Sequence, residues 1–103
     1  MTDDQITIPP SFIALFVEPG RVKPSASRAH ITQRYDFCED LATMLTDRAT
    51  DLKWELQVTE DDVLERIRRG LLVEESGLDS KEACWVMTRL AELLGWRSAL
   101  PGN

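Results

Sequence analysis

Residues 27–56 constrain this chain more than any other feature, because they carry its longest uninterrupted hydrophobic register. Ile31, Tyr35, Cys38, Ala42, Leu45, Ala49, Leu52 and Leu56 follow one another at alternating steps of four and three. That spacing is the spine of a helix with an effective 3.5-residue repeat. No glycine or proline interrupts it, and Phe37, Leu41 and Met44 widen the seam on one flank. Thirty residues at about 1.5 Å each would make a rod of roughly 45 Å. A domain of this length has a radius of gyration of about 13 Å. The rod is therefore expected either to break near Thr46–Thr50 or to have its end covered by another chain.

The remaining elements are read around that helix. Pro9 and Pro10 disfavour helix before them, and residues 1–9 are expected to be extended or disordered at their start. Phe12, Ile13, Leu15, Phe16 and Val17 form a hydrophobic plug of one or two turns. Burying each such side chain is worth about 1.5–3 kcal/mol, so the plug is expected to dock on the helical core. Pro19-Gly20 and Pro24 make residues 18–27 a loop, and Ser25 or Ser27 caps the long helix. After an interruption at Gln57-Val58, Thr59 caps a second helix, with Glu60, Asp61 and Asp62 in its first turn where the dipole favours carboxylates. Val63, Leu64, Ile67 and Leu71 give its buried face. Residues 74–77 form a loop. Asp79 with Glu82 makes a box-like cap for a last helix. Its inner face is read as Ala83, Val86, Met87, Leu90, Leu93 and Leu94, with Gly95 as the left-handed stop. Residues 97–103 are a tail.

The expected fold is all-α: a single-domain small helical bundle over residues 1–103, with one long central helix, two shorter C-terminal helices and a docked N-terminal hydrophobic segment. The first ten residues lack the positive region of a signal peptide, and the longest apolar run is too short to span a bilayer. A cytoplasmic location is expected. Cys38 and Cys84 lack ligand-like spacing and are read as buried free thiols rather than a disulfide.

Catalytic chemistry is sparse. The single histidine, His30, stands among arginines at the start of the long helix, about 12 Å along the axis from Cys38. No Cys/His cluster has zinc spacing, and the pairs Glu39-Asp40 and Glu74-Glu75 diverge on a helix. No phosphate-binding glycine loop is present. The chain reads as non-catalytic, with no cofactor and no metal. Its net charge of −6 disfavours nucleic acid, since phosphate neutralisation supplies most of that affinity. The alternative is a regulator that binds nucleic acid through the helix pair in residues 59–94, joined as in a helix-turn-helix.

The charge is unevenly placed. Arg21, Lys23, Arg28 and Arg34 make the loop and the following first turn basic, whereas residues 35–65 are dominated by acids; such asymmetry can steer a partner. Trp85 points about 180–200° away from the inner face of its helix, and Trp54 is displaced from the Leu45–Leu52 spine toward Asp47 and Asp51. Aromatic anchors dominate interface energetics. Partner-binding candidates are therefore Trp54, Trp85, Leu52, Leu56, Arg21 and Lys23, the partner being a protein. An uncovered seam of Leu45, Leu52 and Leu56, with Trp54 alongside, predicts a homodimer.

The runs Pro9-Pro10-Ser11-Phe12-Ile13-Ala14-Leu15-Phe16-Val17, Arg34-Tyr35-Asp36-Phe37-Cys38-Glu39-Asp40-Leu41-Ala42 and Thr59-Glu60-Asp61-Asp62-Val63-Leu64-Glu65-Arg66 resemble those of a small proteobacterial family. Its members are of about this length and commonly carry the label "ATPase with chaperone activity". The resemblance covers most of the chain. In a chain without a Walker loop, it implies an accessory role beside a chaperone system.

Overall fold

The computed structural model describes residues 7–96, and the expectations for residues 1–6 and 97–103 lie outside them. The fold is all-α, a small helical bundle, and no strand occurs among the described residues. In chain order the elements are α1 (Pro10–Ile13), continued by a 3₁₀ turn at Ala14–Phe16, then α2 (Arg28–Leu56), α3 (Glu60–Leu71), a 3₁₀ turn at Glu74–Ser76, and α4 (Ser80–Leu94). Read from its length as one domain, the chain packs as two compact units, Met1–Phe37 and Cys38–Asn103. The division falls inside α2.

In the first unit the hydrophobic plug is folded as expected. Pro10 opens α1, where its missing N–H is not needed, and Phe12 is fully buried. The Phe12 ring meets those of Phe16 and Tyr35, each with centroids 5.5 Å apart, and Phe16 lies edge-on to His30 at 5.9 Å. Ser25 ties the loop back: its N–H and its hydroxyl both donate to the Phe16 carbonyl, at 2.7 and 2.9 Å. Ser27 is the residue that caps α2, its Oγ accepting from the His30 N–H at 3.1 Å.

Of the two alternatives for the long helix, the break near Thr46–Thr50 does not occur; α2 is one uninterrupted helix. The threonine hydroxyls that could have drawn the backbone out of helix instead donate to carbonyls of the helix itself. Thr43 Oγ1 bonds Glu39 O, Thr46 Oγ1 bonds Thr43 O and Thr50 Oγ1 bonds Thr46 O, at 2.7–3.0 Å. Such back-bonding is compatible with helix at small cost. The helix ends where Gln57 takes a left-handed conformation, φ 54°.

In the second unit the helix boundaries follow their caps. Thr59 Oγ1 accepts from the Asp62 N–H at 3.1 Å. Asp79 and Glu82 complete a reciprocal capping box, at 2.7 and 3.2 Å. Gly95 closes α4 at φ 72°, and the Gly95 and Trp96 N–H groups donate to Glu92 O and Ala91 O, the Schellman pattern. Val63, Leu64, Ile67 and Leu71 of α3 are buried as expected.

The inner face of α4 needs two corrections. Leu93 is 39 % exposed, and Ala91 is buried in its stead. At about 100° per residue Leu93 stands 60° from Leu90, at the edge of the face and in the last turn. Cys84, read as buried, is exposed; only Cys38 is a buried thiol, and both are free. Cys84 lies about 120° around α4 from Leu90, outside the arc that Ala83, Val86, Met87 and Leu90 occupy.

Candidate interaction site

Burial along α2 shows which of its faces are free. Ile31, Cys38, Ala42 and Ala49 are buried, Leu45 and Leu52 are half-buried, and Leu56 is 45 % exposed. Leu56 shares the azimuth of buried Cys38 and is open because it is the last residue of α2. For Leu45 and Leu52 the cause is the mismatch between a 3.5-residue pattern and a 3.6-residue helix, which rotates the pattern about 20° per heptad. Ile31, Cys38, Leu45 and Leu52 are one heptad apart in turn, and the last two have rotated out of the buried arc. On that flank Leu41 is half-buried and Met44 is 69 % exposed. An apolar strip of Leu41, Leu45, Leu52 and Leu56 thus runs along the second unit's part of the helix. Met44 stands outside it, about 120° around the helix from Leu56 and about 20° from Asp51.

Trp54 is 74 % exposed, but it does not lie beside that strip. It stands about 180–200° around α2 from Leu45, Leu52 and Leu56. Its neighbours on its own side are Asp47 and Asp51, with Asp40 further back, all exposed. Trp85 is half-buried. The candidate residues therefore separate into distinct places: Leu52 and Leu56 on the apolar strip, Trp54 on the acidic side of the same helix, Trp85 on α4, and Arg21 and Lys23 in the first unit's loop.

That loop is built rather than slack. The Arg21 N–H donates to Glu18 O at 3.0 Å, and Gly20 has φ 81°, the positive φ that a Pro-Gly type II turn needs at its third position. With Ser25 anchored on Phe16, the turn holds Val22 92 % exposed between the exposed side chains of Arg21 and Lys23. Sequence reasoning marked the two cations and passed over Val22, since a lone valine in a polar loop carries no pattern.

Glu39, Glu60, Glu65 and Glu92 of the second unit form ion pairs within it. Arg89 donates from Nε and its terminal nitrogen to Glu39 at 2.9 and 3.0 Å, a forked pair between α4 and α2, and also reaches Glu92. The hydrogen bond to Glu39 raises the Arg89 pKa well above its ordinary value. Lys53 bonds Glu60 at 3.0 Å and sits 5.5 Å from the centroid of the Trp96 ring. Arg89 is thus tied to two carboxylates, one on α2 and one on α4.

Glu65 provides a pH-dependent contact within α3. Its carboxyl accepts from Arg68 at 2.7 and 2.9 Å and from Arg69 at 3.1 Å. The Arg68 hydrogen bond leads the causes that hold its pKa at about 2, below its ordinary 4.5. A carboxylate whose folded pKa is depressed stabilises the fold fully above the unfolded value, and the stabilisation fades as pH falls through the folded one. Glu65→Gln is expected to flatten the acid limb of the stability profile slightly between pH 4.5 and about 2 and to lower neutral-pH stability by the same small amount, the group being solvent-screened. An unchanged acid limb in acid-titrated thermal melts would refute this.

The surface also carries clefts. An open hollow of about 510 Å³ lies under the loop of residues 18–27, lined by Glu18, Arg21, Val22, Lys23, Pro24 and Ser25; two others are smaller. One of about 260 Å³ is lined by Ile8, Ile13, Pro24, Ala26, Arg28 and Ile31. The other, about 240 Å³, lies between Arg68 and Leu72 on one side and Ala83, Cys84 and Met87 on the other. These two fall below the roughly 300–1,000 Å³ usual for small-molecule sites, and the loop hollow lies within that range. Among the described residues no group of three His, Cys, Asp or Glu side chains is placed to hold a metal ion, and no helix is long and apolar enough to cross a membrane. No family model matches the chain, and no curated protein or solved structure matches it.

Proposed function

We propose that this chain is a non-catalytic, cytoplasmic protein-interaction module that acts as a homodimer, an adaptor or accessory factor to a chaperone system. The observation that supports it is the apolar strip of α2, where Leu56 is 45 % exposed and Leu41, Leu45 and Leu52 are half-buried. Large apolar side chains aligned on one helix face are the kind of surface that partners cover. A second copy placed about a twofold axis would cover the strip with itself. The link to a chaperone system rests on the family resemblance, which the three runs of residues carry.

Light scattering at tens of micromolar is expected to give a dimer mass for the unmodified chain. The variant Leu56→Glu, at the exposed position of the strip, is expected to give a monomer with an unchanged helical circular dichroism spectrum. A monomer mass for the unmodified chain would overturn the homodimer, and a dimer that survives the variant would remove the strip as its interface.

A further inference from the structure

Two exposed apolar side chains outside the α2 strip stand in opposite electrostatic surroundings. Val22 is 92 % exposed between Arg21 and Lys23. Trp54 is 74 % exposed on a face of α2 that also presents Asp47 and Asp51. Each is left open among the described residues. Asp47 and Asp51 make no ion pair among the described residues, and neither do Arg21 and Lys23.

We propose that the Arg21-Val22-Lys23 loop of one copy docks on the Trp54 face of α2 in a second copy. The structure supplies the chemistry on both sides. The face gives a flat indole at one end and, one and two turns before it, two carboxylates: positions 47, 51 and 54 are spaced by four and three and so share one side of the helix. The loop gives two cations about one aliphatic side chain. A cation over an indole is attracted by the ring in addition to its pairing with carboxylates, and Val22 leaves water against the indole. The loop is already held by its Pro-Gly turn and by Ser25 on Phe16, so little conformational entropy is lost on docking.

A nucleic acid or a lipid surface fits the loop less well. Two cations give little phosphate neutralisation against a chain of net charge −6, and neither surface explains the exposed indole among carboxylates. The second copy accounts for both exposed groups at once.

This inference rests on the reading of the chain as self-associating, and adds a contact separate from the apolar strip. The test is a charge exchange read by sedimentation equilibrium at low salt. Variant one, Arg21→Glu with Lys23→Glu, gives an acidic loop against an acidic face. Variant two, Asp47→Lys with Asp51→Lys, gives a basic loop against a basic face. All four positions are exposed, so both variants are expected to fold. Each alone is expected to associate at least tenfold more weakly than the unmodified chain. Their equimolar mixture restores complementary charge at both contacts and is expected to recover the lost affinity. Raising salt is expected to weaken the unmodified chain and the mixture alike.

Single variants that associate as tightly as the unmodified chain would overturn the contact, and so would a mixture no tighter than its components. Neither result bears on the apolar strip, which the Leu56→Glu variant reports by itself. Duplex DNA or anionic vesicles bound by the unmodified chain and lost in variant one, with self-association unchanged, would transfer the loop to an anionic partner and overturn the proposal.

Discussion

Replacing Phe12 with Ala is expected to release residues 10–25 of the first unit from their packing. Phe12 is fully buried and is the largest such side chain in the described residues. Truncating a buried Phe to Ala costs about 3–5 kcal/mol. α1 has four residues and its continuation three, far below the length at which a helix persists without tertiary support. The loss therefore cannot be absorbed locally. Amide exchange of Phe12, Ile13, Val17 and Ser25, which donate to Pro9 O, Pro9 O, Ala14 O and Phe16 O, should become fast in the variant. Protection in α3 and α4 should persist. Phe12→Leu, which keeps most of the apolar area, should cost less. Undiminished protection at those four amides in Phe12→Ala would show that something other than the Phe12 ring holds the segment.

The second large effect is expected at Leu90. It is fully buried on the inner face of α4, and Leu→Ala at such a site costs about 2–5 kcal/mol depending on how far the cavity collapses. For a domain of this size each kcal/mol moves the melting temperature by roughly 4–8 °C. Leu90→Ala should accordingly lower the Tm by about 10 °C or more. Leu93→Ala, at a position 39 % exposed, should lower it by only a few degrees. The pair is informative because a helical pattern alone assigns both leucines to the same face. Equal losses in calorimetry would restore Leu93 to the core and contradict the observed exposure.

The candidate site was legible in part for similar reasons. Trp54 is displaced from the spine toward Asp47 and Asp51 by helical arithmetic alone, and the structure leaves it 74 % exposed on that side. The same arithmetic separates it from Leu45, Leu52 and Leu56, so one interface containing all four, as the seam argument combined them, is not available on a straight helix. Met44 entered the sequence reading only as a widening of the seam. Its exposure became visible once the neighbours of α2 were in place. Val22 had no periodic context to mark it, and its exposure follows from how the Pro-Gly turn and Ser25 hold the loop.

What the sequence determined by itself is the set of elements and their ends. Thr59 with Asp62, Asp79 with Glu82, Ser27 with His30 and Gly95 with the turn before it are partners within five residues of one another. Their hydrogen bonds close whatever else the chain does. The persistence of α2 through Thr46–Thr50 belongs to this class too, since the threonine hydroxyls bond carbonyls three or four residues back. Only the tertiary structure decided which parts of each apolar face are covered. A pattern repeating every 3.5 residues rotates about 20° per heptad on a 3.6-residue helix, so the buried arc at Leu45 and Leu52 depends on where α3 and α4 pack. Covering a side chain requires atoms distant in sequence, and the local register has no term for where they are.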